Sequence, residues 1–162
     1  MINIKRGFSL IELLIASAIF VGAMTSVITL VFFCVNTFNY AFSIKLGNDA
    51  IRQVNDILIE KTANAQCLQD TNGGKELLIK GEGCSAVMYR IYIDKDRLVI
   101  SGQNDEKRLI TPSNITVVQL DNNVKIFDVQ DNKFLALSIN IIANSKERYQ
   151  TKTEYKNAYS MR

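Results

Sequence analysis

Residues 13–44 carry no charged side chain, 32 positions in a row between Glu12 and Lys45. Within that run, Leu13 to Phe33 is interrupted only by Ser17, Gly22, Thr25, Ser26 and Thr29. Roughly 20 such residues in a helix cross the hydrocarbon of a bilayer, so the segment is long enough to span. From Lys45 onward the chain is polar and mixed in charge. The pattern predicts one membrane-spanning helix followed by one water-exposed head. With 48% hydrophobic and 22% charged residues overall, neither disorder nor a wholly buried membrane bundle fits.

Lys5 and Arg6 precede the apolar run and no comparably close positive pair follows it. The positive-inside rule therefore leaves Met1 to Gly7 in the cytoplasm and sends the head outside. A secretory signal peptide with Ala16-Ser17-Ala18 as its cleavage site fails on two counts. Glu12 would sit in its apolar region, and the cut chain would still begin with a long apolar stretch. An ordinary signal anchor accounts for the span but not for Glu12, since a carboxylate within a membrane segment costs roughly 2.5–3.5 kcal/mol on insertion scales. Ser9 and Glu12 also have the spacing of a capping box, in which each satisfies a free amide at the helix start. That reading is compatible with a further role for the acid.

The segment Lys5-Arg6-Gly7-Phe8-Ser9-Leu10-Ile11-Glu12-Leu13-Leu14-Ile15-Ala16 resembles the class III signal of type IV prepilins and pseudopilins. A short basic leader, Gly before the cut, Phe after it and Glu at the fifth position of the mature chain occur together. The resemblance implies cleavage between Gly7 and Phe8 by a membrane-embedded prepilin peptidase, with N-methylation of Phe8 by the same enzyme. Gly7 suits such a site because a residue without Cβ lets the backbone lie close to a protease. The resemblance also implies a minor pilin or pseudopilin, a structural subunit of a type IV pilus-like filament assembled through its N-terminal helix. Its partners would be the peptidase, other pilins or pseudopilins in a helical filament, and an inner-membrane assembly platform. It would lie in the cytoplasmic membrane before assembly and in a cell-surface or periplasmic filament afterwards. Glu12 would act there as the assembly charge, facing the Phe8 amine. Type II secretion and competence DNA-uptake machines use the same signal. A non-polymerising single-span anchor with a binding head is a further alternative.

Beyond the membrane segment, Ile44, Ile51, Val54 and Leu58 recur at helical spacing, with Asn48, Asp49, Arg52, Asn55, Asp56 and Glu60 on much of the opposite side. No Pro precedes Pro112, so one helix from Phe8 to about Ala65 is expected, about 87 Å long at about 1.5 Å per residue. The chain divides into a leader (1–7), a transmembrane and polymerisation half of the helix (8–35), an amphipathic half (36–66) and a sheet head (67–162). In the head, Asn72-Gly73-Gly74 and Gly81-Glu82-Gly83 are turn signals around a short strand, Leu77-Leu78-Ile79. The period then changes to two. Strands are predicted around Val87–Ile93, Leu98–Ile100, Arg108–Thr111, Ile115–Leu120, Val124–Val129 and Phe134–Ile142, with tight turns at Asp94-Lys95-Asp96, Asn122-Asn123 and Asp131-Asn132. The predicted fold is α+β, a long helix packed on an antiparallel meander of five or six strands. Lys146 to Arg162 reads as an exposed polar tail, with an edge strand as the other option.

Little in the head suggests chemistry. The absence of His excludes His-dependent triads and His-ligated metal sites. A net charge of +3 is too small to mark a nucleic-acid surface. Asp94/Asp96 and the turn-flanking Asp121, Asp128 and Asp131 read as solvated carboxylates without EF-hand spacing. Tyr89, Tyr92, Tyr149, Tyr155 and Tyr159 read as strand packing, since no basic patch is interleaved among them. No glycine-rich phosphate loop follows a strand. No catalytic residue, metal or cofactor is therefore expected, nor an enzymatic activity. The three cysteines do not have zinc-site spacing. Cys67 and Cys84 bound a turn-rich loop in a head expected outside the cytoplasm, so they form either a disulfide or two packed thiols.

Overall fold

The computed structural model describes residues 9–104, 106–121, 123–143 and 150–161. It divides into two units, Met1–Asn39 and Tyr40–Arg162, joined within one helix, α1 (Leu10–Ala63). Up to Asn39 the described chain is helix alone from Leu10 on, with its side chains exposed almost throughout. Its hydroxyls bond within the helix. Ser17 Oγ donates to the Leu14 carbonyl (2.8 Å), Thr25 Oγ1 and Ser26 Oγ to that of Gly22 (2.9 Å each), and Thr29 Oγ1 to that of Thr25 (2.8 Å). Polar atoms satisfied inside the segment are what a lipid environment requires.

In the second unit the rest of α1 is followed, among the described residues, by nine strands. β1 (Cys67–Thr71), β2 (Glu76–Lys80), β3 (Val87–Asp94), β4 (Arg97–Gly102) and β5 (Lys107–Leu109) form an antiparallel meander in chain order. β6 (Ile115–Gln119), β7 (Phe127–Gln130), β8 (Phe134–Ala143) and β9 (Thr151–Ser160) form a second sheet. β6 and β7 pair with successive halves of β8, and β9 pairs along its full length, from Phe134↔Ser160 to Ala143↔Thr151. The α+β plan of helix and antiparallel sheet is as predicted. The single meander is not. Ile110 still donates to the Leu98 carbonyl (2.8 Å), but Pro112, which has no N–H, cannot extend that ladder. The chain crosses instead to the second sheet.

The core is formed by Val54 and Leu58 of α1 with Leu68, Leu77, Ile79, Ile91, Leu98, Ile115, Phe127, Leu135, Leu137, Ile139 and Ile141. The buried face of α1 is Ser43, Gly47, Ala50, Val54, Leu58 and Thr62. The predicted stripe is therefore half corrected. Ile44 is exposed and Ile51 only half-buried, because the sheet lies close to the helix where its residues are small. A Cβ on Gly47 would stand 3.6 Å from Thr153 Oγ1 and 3.8 Å from the Ala143 Cβ.

Three further differences concern the head. The transition after the helix contains a full hairpin, β1–β2. The strand predicted from Val124 begins at Phe127, after a turn closed by Val124 N–H on the Asp121 carbonyl (3.0 Å). The exposed-tail option is excluded for residues 151–160, which are edge strand β9 with Thr151 and Tyr159 buried. The Asp94-Lys95-Asp96 turn has positive φ at Lys95 (48°) and Asp96 (59°), the geometry of a two-residue hairpin. Asp131 (52°) and Asn132 (57°) are also left-handed. Asn122 and Lys146–Tyr149 lie outside the described residues.

Candidate functional site

At the start of α1 the Ser9 N–H donates to Glu12 Oε2 (3.0 Å), and the Leu13 N–H donates to the Ser9 carbonyl (3.2 Å). Glu12 thus supplies the carboxylate arm of a capping box and places negative charge in the first helical turn, where the helix dipole favours it. Lys5, Arg6, Gly7 and Phe8 lie outside the described residues, so this geometry brings together only Ser9 and Glu12.

C-terminal to Glu12 the helix presents apolar side chains on every side. Leu13 (64% exposed), Phe20 (60%) and Phe33 (69%) stand for a series that continues to Phe42. None of its most apolar window is buried. Apolar surface of that extent is stable only when lipid or other helices remove it from water.

In the head, Cys67 at the start of β1 and Cys84 in the turn after β2 form a disulfide, with their Cα atoms 5.4 Å apart. It links residues just beyond the helix end to the β2–β3 connection. Lys125 joins the two sheets, its Nζ 2.8 Å from Asp70 Oδ2 on β1 and 3.4 Å from Asp128 Oδ1 on β7. Both carboxylates raise its pKa, that of Asp70 most. Arg90 Nε pairs with Glu76 Oε1 at 2.9 Å on the face of the first sheet away from α1. Asp94 and Asp96 flank their hairpin, and the Asp96 carbonyl accepts the Val117 N–H (2.7 Å), a second tie between the sheets. Among the described residues no group of three or more His, Cys, Asp or Glu side chains is placed to hold a metal ion.

Sequence reasoning missed one cluster entirely. Asn55 Oδ1 accepts from Tyr159 Oη (2.8 Å), Asn157 Nδ2 (3.1 Å) and Tyr155 Oη (3.2 Å). Burial pushes the Tyr159 phenol up from its usual value, and its bond with Tyr155 adds to this. The signal available was two tyrosines four apart on one strand face, both needing a partner for a buried hydroxyl.

A family model described as the prokaryotic N-terminal methylation motif matches residues 2–21. The chain carries a class III signal. That signal is typical of type IV pilins and pseudopilins, and here it opens onto a long apolar helix followed by an antiparallel sheet domain, a pilin-like plan. No curated protein and no solved structure matches the chain.

Proposed function

We propose that the chain is a structural subunit, a minor pilin or pseudopilin, of a type IV pilus-like filament, and that it is not an enzyme. Prepilin peptidase cuts between Gly7 and Phe8 and methylates the new Phe8 amine. The N-terminus faces the cytoplasm, the head lies outside, and an inner-membrane platform delivers the subunit into the filament. The reading is supported above all by the apolar first half of α1, exposed on every side directly after a class III signal. Moving such a helix from lipid to a bundle of neighbouring helices is close to neutral hydrophobically, so packing and charge contacts set its register. Its test is processing. Cutting seven residues from 162 leaves 155, beginning with N-methylated Phe8. Intact-mass analysis of chain coexpressed with prepilin peptidase should find that product, and Gly7→Val should abolish it while the chain still inserts. Processing of the Val variant at the same bond would reject the assignment.

One observation favours a second reading, a single-span anchor that never polymerises. The Glu12 carboxylate already has a partner in its own chain, the Ser9 N–H. A chain left uncut by the peptidase would support that alternative.

A further inference from the structure

The two sulfurs of the disulfide differ in access. Cys84 is exposed, and so is every residue from Glu82 to Ala86. Cys67 is half-buried at the start of β1, where it pairs with Lys80, and it precedes the fully buried Leu68. The turn holding Cys84 is fixed by its own hydrogen bonds. Gly81 N–H donates to the Ala86 carbonyl (3.0 Å), Cys84 N–H to that of Gly81 (3.1 Å), and Gly83 N–H to Gln66 Oε1 (3.0 Å). Gly83 (φ 65°) and Cys84 (φ 59°) both take the left-handed conformation, rare for a residue with a side chain, within this exposed turn. The turn is thus built to hold one cysteine outward.

Thiol–disulfide exchange proceeds by attack of a thiolate on one sulfur with the other leaving, the three sulfurs close to a line. An attacker of Cys84 Sγ comes from the side away from Cys67, through an exposed turn. Cys67 Sγ belongs instead to a half-buried residue at the start of the paired β1–β2 ladder, where an attacker has less access. Attack at Cys84 expels Cys67 as thiolate.

We infer that Cys84 Sγ is the site at which a thiol–disulfide oxidoreductase, a protein carrying a redox-active cysteine pair, makes and breaks this bond. In oxidation the Cys84 thiolate attacks the partner's disulfide, forming a mixed disulfide and releasing one partner thiolate. The Cys67 thiolate then attacks Cys84 Sγ and releases the second. Two thiols of this chain are oxidised, the partner's disulfide becomes a dithiol, and the protons pass to it. Reduction is the reverse, with the partner's thiolate attacking Cys84 and Cys67 leaving. The inference rests on the extracytoplasmic placement proposed above only for its compartment. The chemistry can be measured on purified chain whether or not it assembles.

The experiment uses full-length chain in detergent with Cys34→Ser, so that only the pair reports. The oxidised protein is treated briefly with reduced glutathione, quenched with acid and mapped by mass spectrometry, and then treated likewise with a thioredoxin lacking its resolving cysteine. Both adducts are expected on Cys84 at least tenfold over Cys67, with the preference lost in denaturant. Adducts divided evenly, or found mainly on Cys67, in the native protein would overturn the inference. As a check that needs no mapping, Cys67→Ser and Cys84→Ser chains are compared for the rate of mixed-disulfide formation with oxidised glutathione. The chain retaining Cys84 should react at least tenfold faster, and equal rates would count against it.

Discussion

The Tyr159 hydroxyl donates to Asn55 Oδ1 at 2.8 Å, fastening the last strand to the helix across 104 residues of chain. Both groups belong to regions whose composition suggests solvent, and each is tolerated inside because the other satisfies it. Removing the acceptor should cost more than removing the donor. Asn55→Ala leaves the Tyr159 and Tyr155 hydroxyls and the Asn157 amide without their shared oxygen and is expected to lose about 1–3 kcal/mol. Tyr159→Phe removes its own donor and is expected to lose about 1 kcal/mol. Denaturant unfolding of the two variants and their double would measure the coupling, and fully additive losses would show that the bond contributes nothing.

The same phenol gives a pH dependence. Its folded pKa lies above the usual value of 10.0 because burial disfavours the phenolate. The folded state therefore holds the Tyr159 proton where the unfolded chain has lost it. Stability from this group is complete below pH 10 and declines as the pH rises above that point. Tyr159→Phe should flatten the stability profile above pH 10 relative to the parent, read by thermal melts at several alkaline pH values. An unchanged slope would show that Tyr159 does not govern it.

Gly47 separates two opposite outcomes at one position. A Cβ there would meet Thr153 Oγ1 and the Ala143 Cβ at ordinary van der Waals distances, 3.6 and 3.8 Å. Gly47→Ala is therefore expected to stabilise the head, by up to about 1 kcal/mol from helix propensity. Gly47→Leu has no room against β8 and β9 and should destabilise by about 1–3 kcal/mol. Thermal melts that moved both variants in the same direction would contradict the close approach of α1 to the sheet.

Two adjacent glycines in the β1–β2 turn should differ as sharply. Gly73 (φ 67°) has open space where a Cβ would be, so Gly73→Ala should cost only the left-handed backbone penalty, roughly 1–2 kcal/mol. At Gly74 (φ 81°) the added carbon would stand 2.6 Å from the Lys125 Cβ and 2.8 Å from the Phe127 carbonyl. Gly74→Ala should disturb the place where Lys125 ties the sheets together and lower the melting point more than Gly73→Ala. Equal effects would place the constraint in the turn alone.

The parts of this chain that a reader of sequence recovers are those set by local rules. The membrane-length run needs only composition and length, and the class III signal within residues 2–21 is a fixed string of residue types. Phe134–Ala143 alternates at period two because one of its faces is buried, and the alternation of Val87–Asp94 brings Ile91 into the core with Tyr89 and Ile93 packed beside it. What was lost is non-local. Hydropathy looks for large apolar residues and so selects Ile44 and Ile51, whereas close packing selected Ser43, Gly47 and Ala50. Lys152, Glu154 and Lys156 disguise β9 as a tail because an edge strand leaves one face in water. Nothing local says that β6 pairs with β8 rather than with β5. The cap at Glu12 was legible, but a single chain does not reveal what else that carboxylate meets.

That question yields the last prediction. Cleavage at Gly7 would create an amine on Phe8, protonated at neutral pH whether or not it is methylated, four positions before Glu12. A carboxylate in lipid is costly alone and is offset by a close opposite charge, in its own chain or on a neighbouring subunit. A subunit joining the base of a filament would then be set in register by its Glu12 facing a Phe8 amine already in place. The bond from Ser9 N–H to Glu12 Oε2 offers a rival account in which the acid merely caps the helix. The two accounts part at Glu12→Gln. The amide oxygen can still accept the Ser9 N–H, so the cap account predicts normal incorporation, and Glu12→Ala alone should be impaired. The charge account predicts that both variants are cleaved normally and that both incorporate poorly, with at least a tenfold fall in the ratio of filament-borne to membrane-borne protein. Immunoblots of sheared filaments against membranes measure that ratio. Incorporation of the Gln variant at the parental level would remove the charge mechanism and leave the cap as the whole role of Glu12.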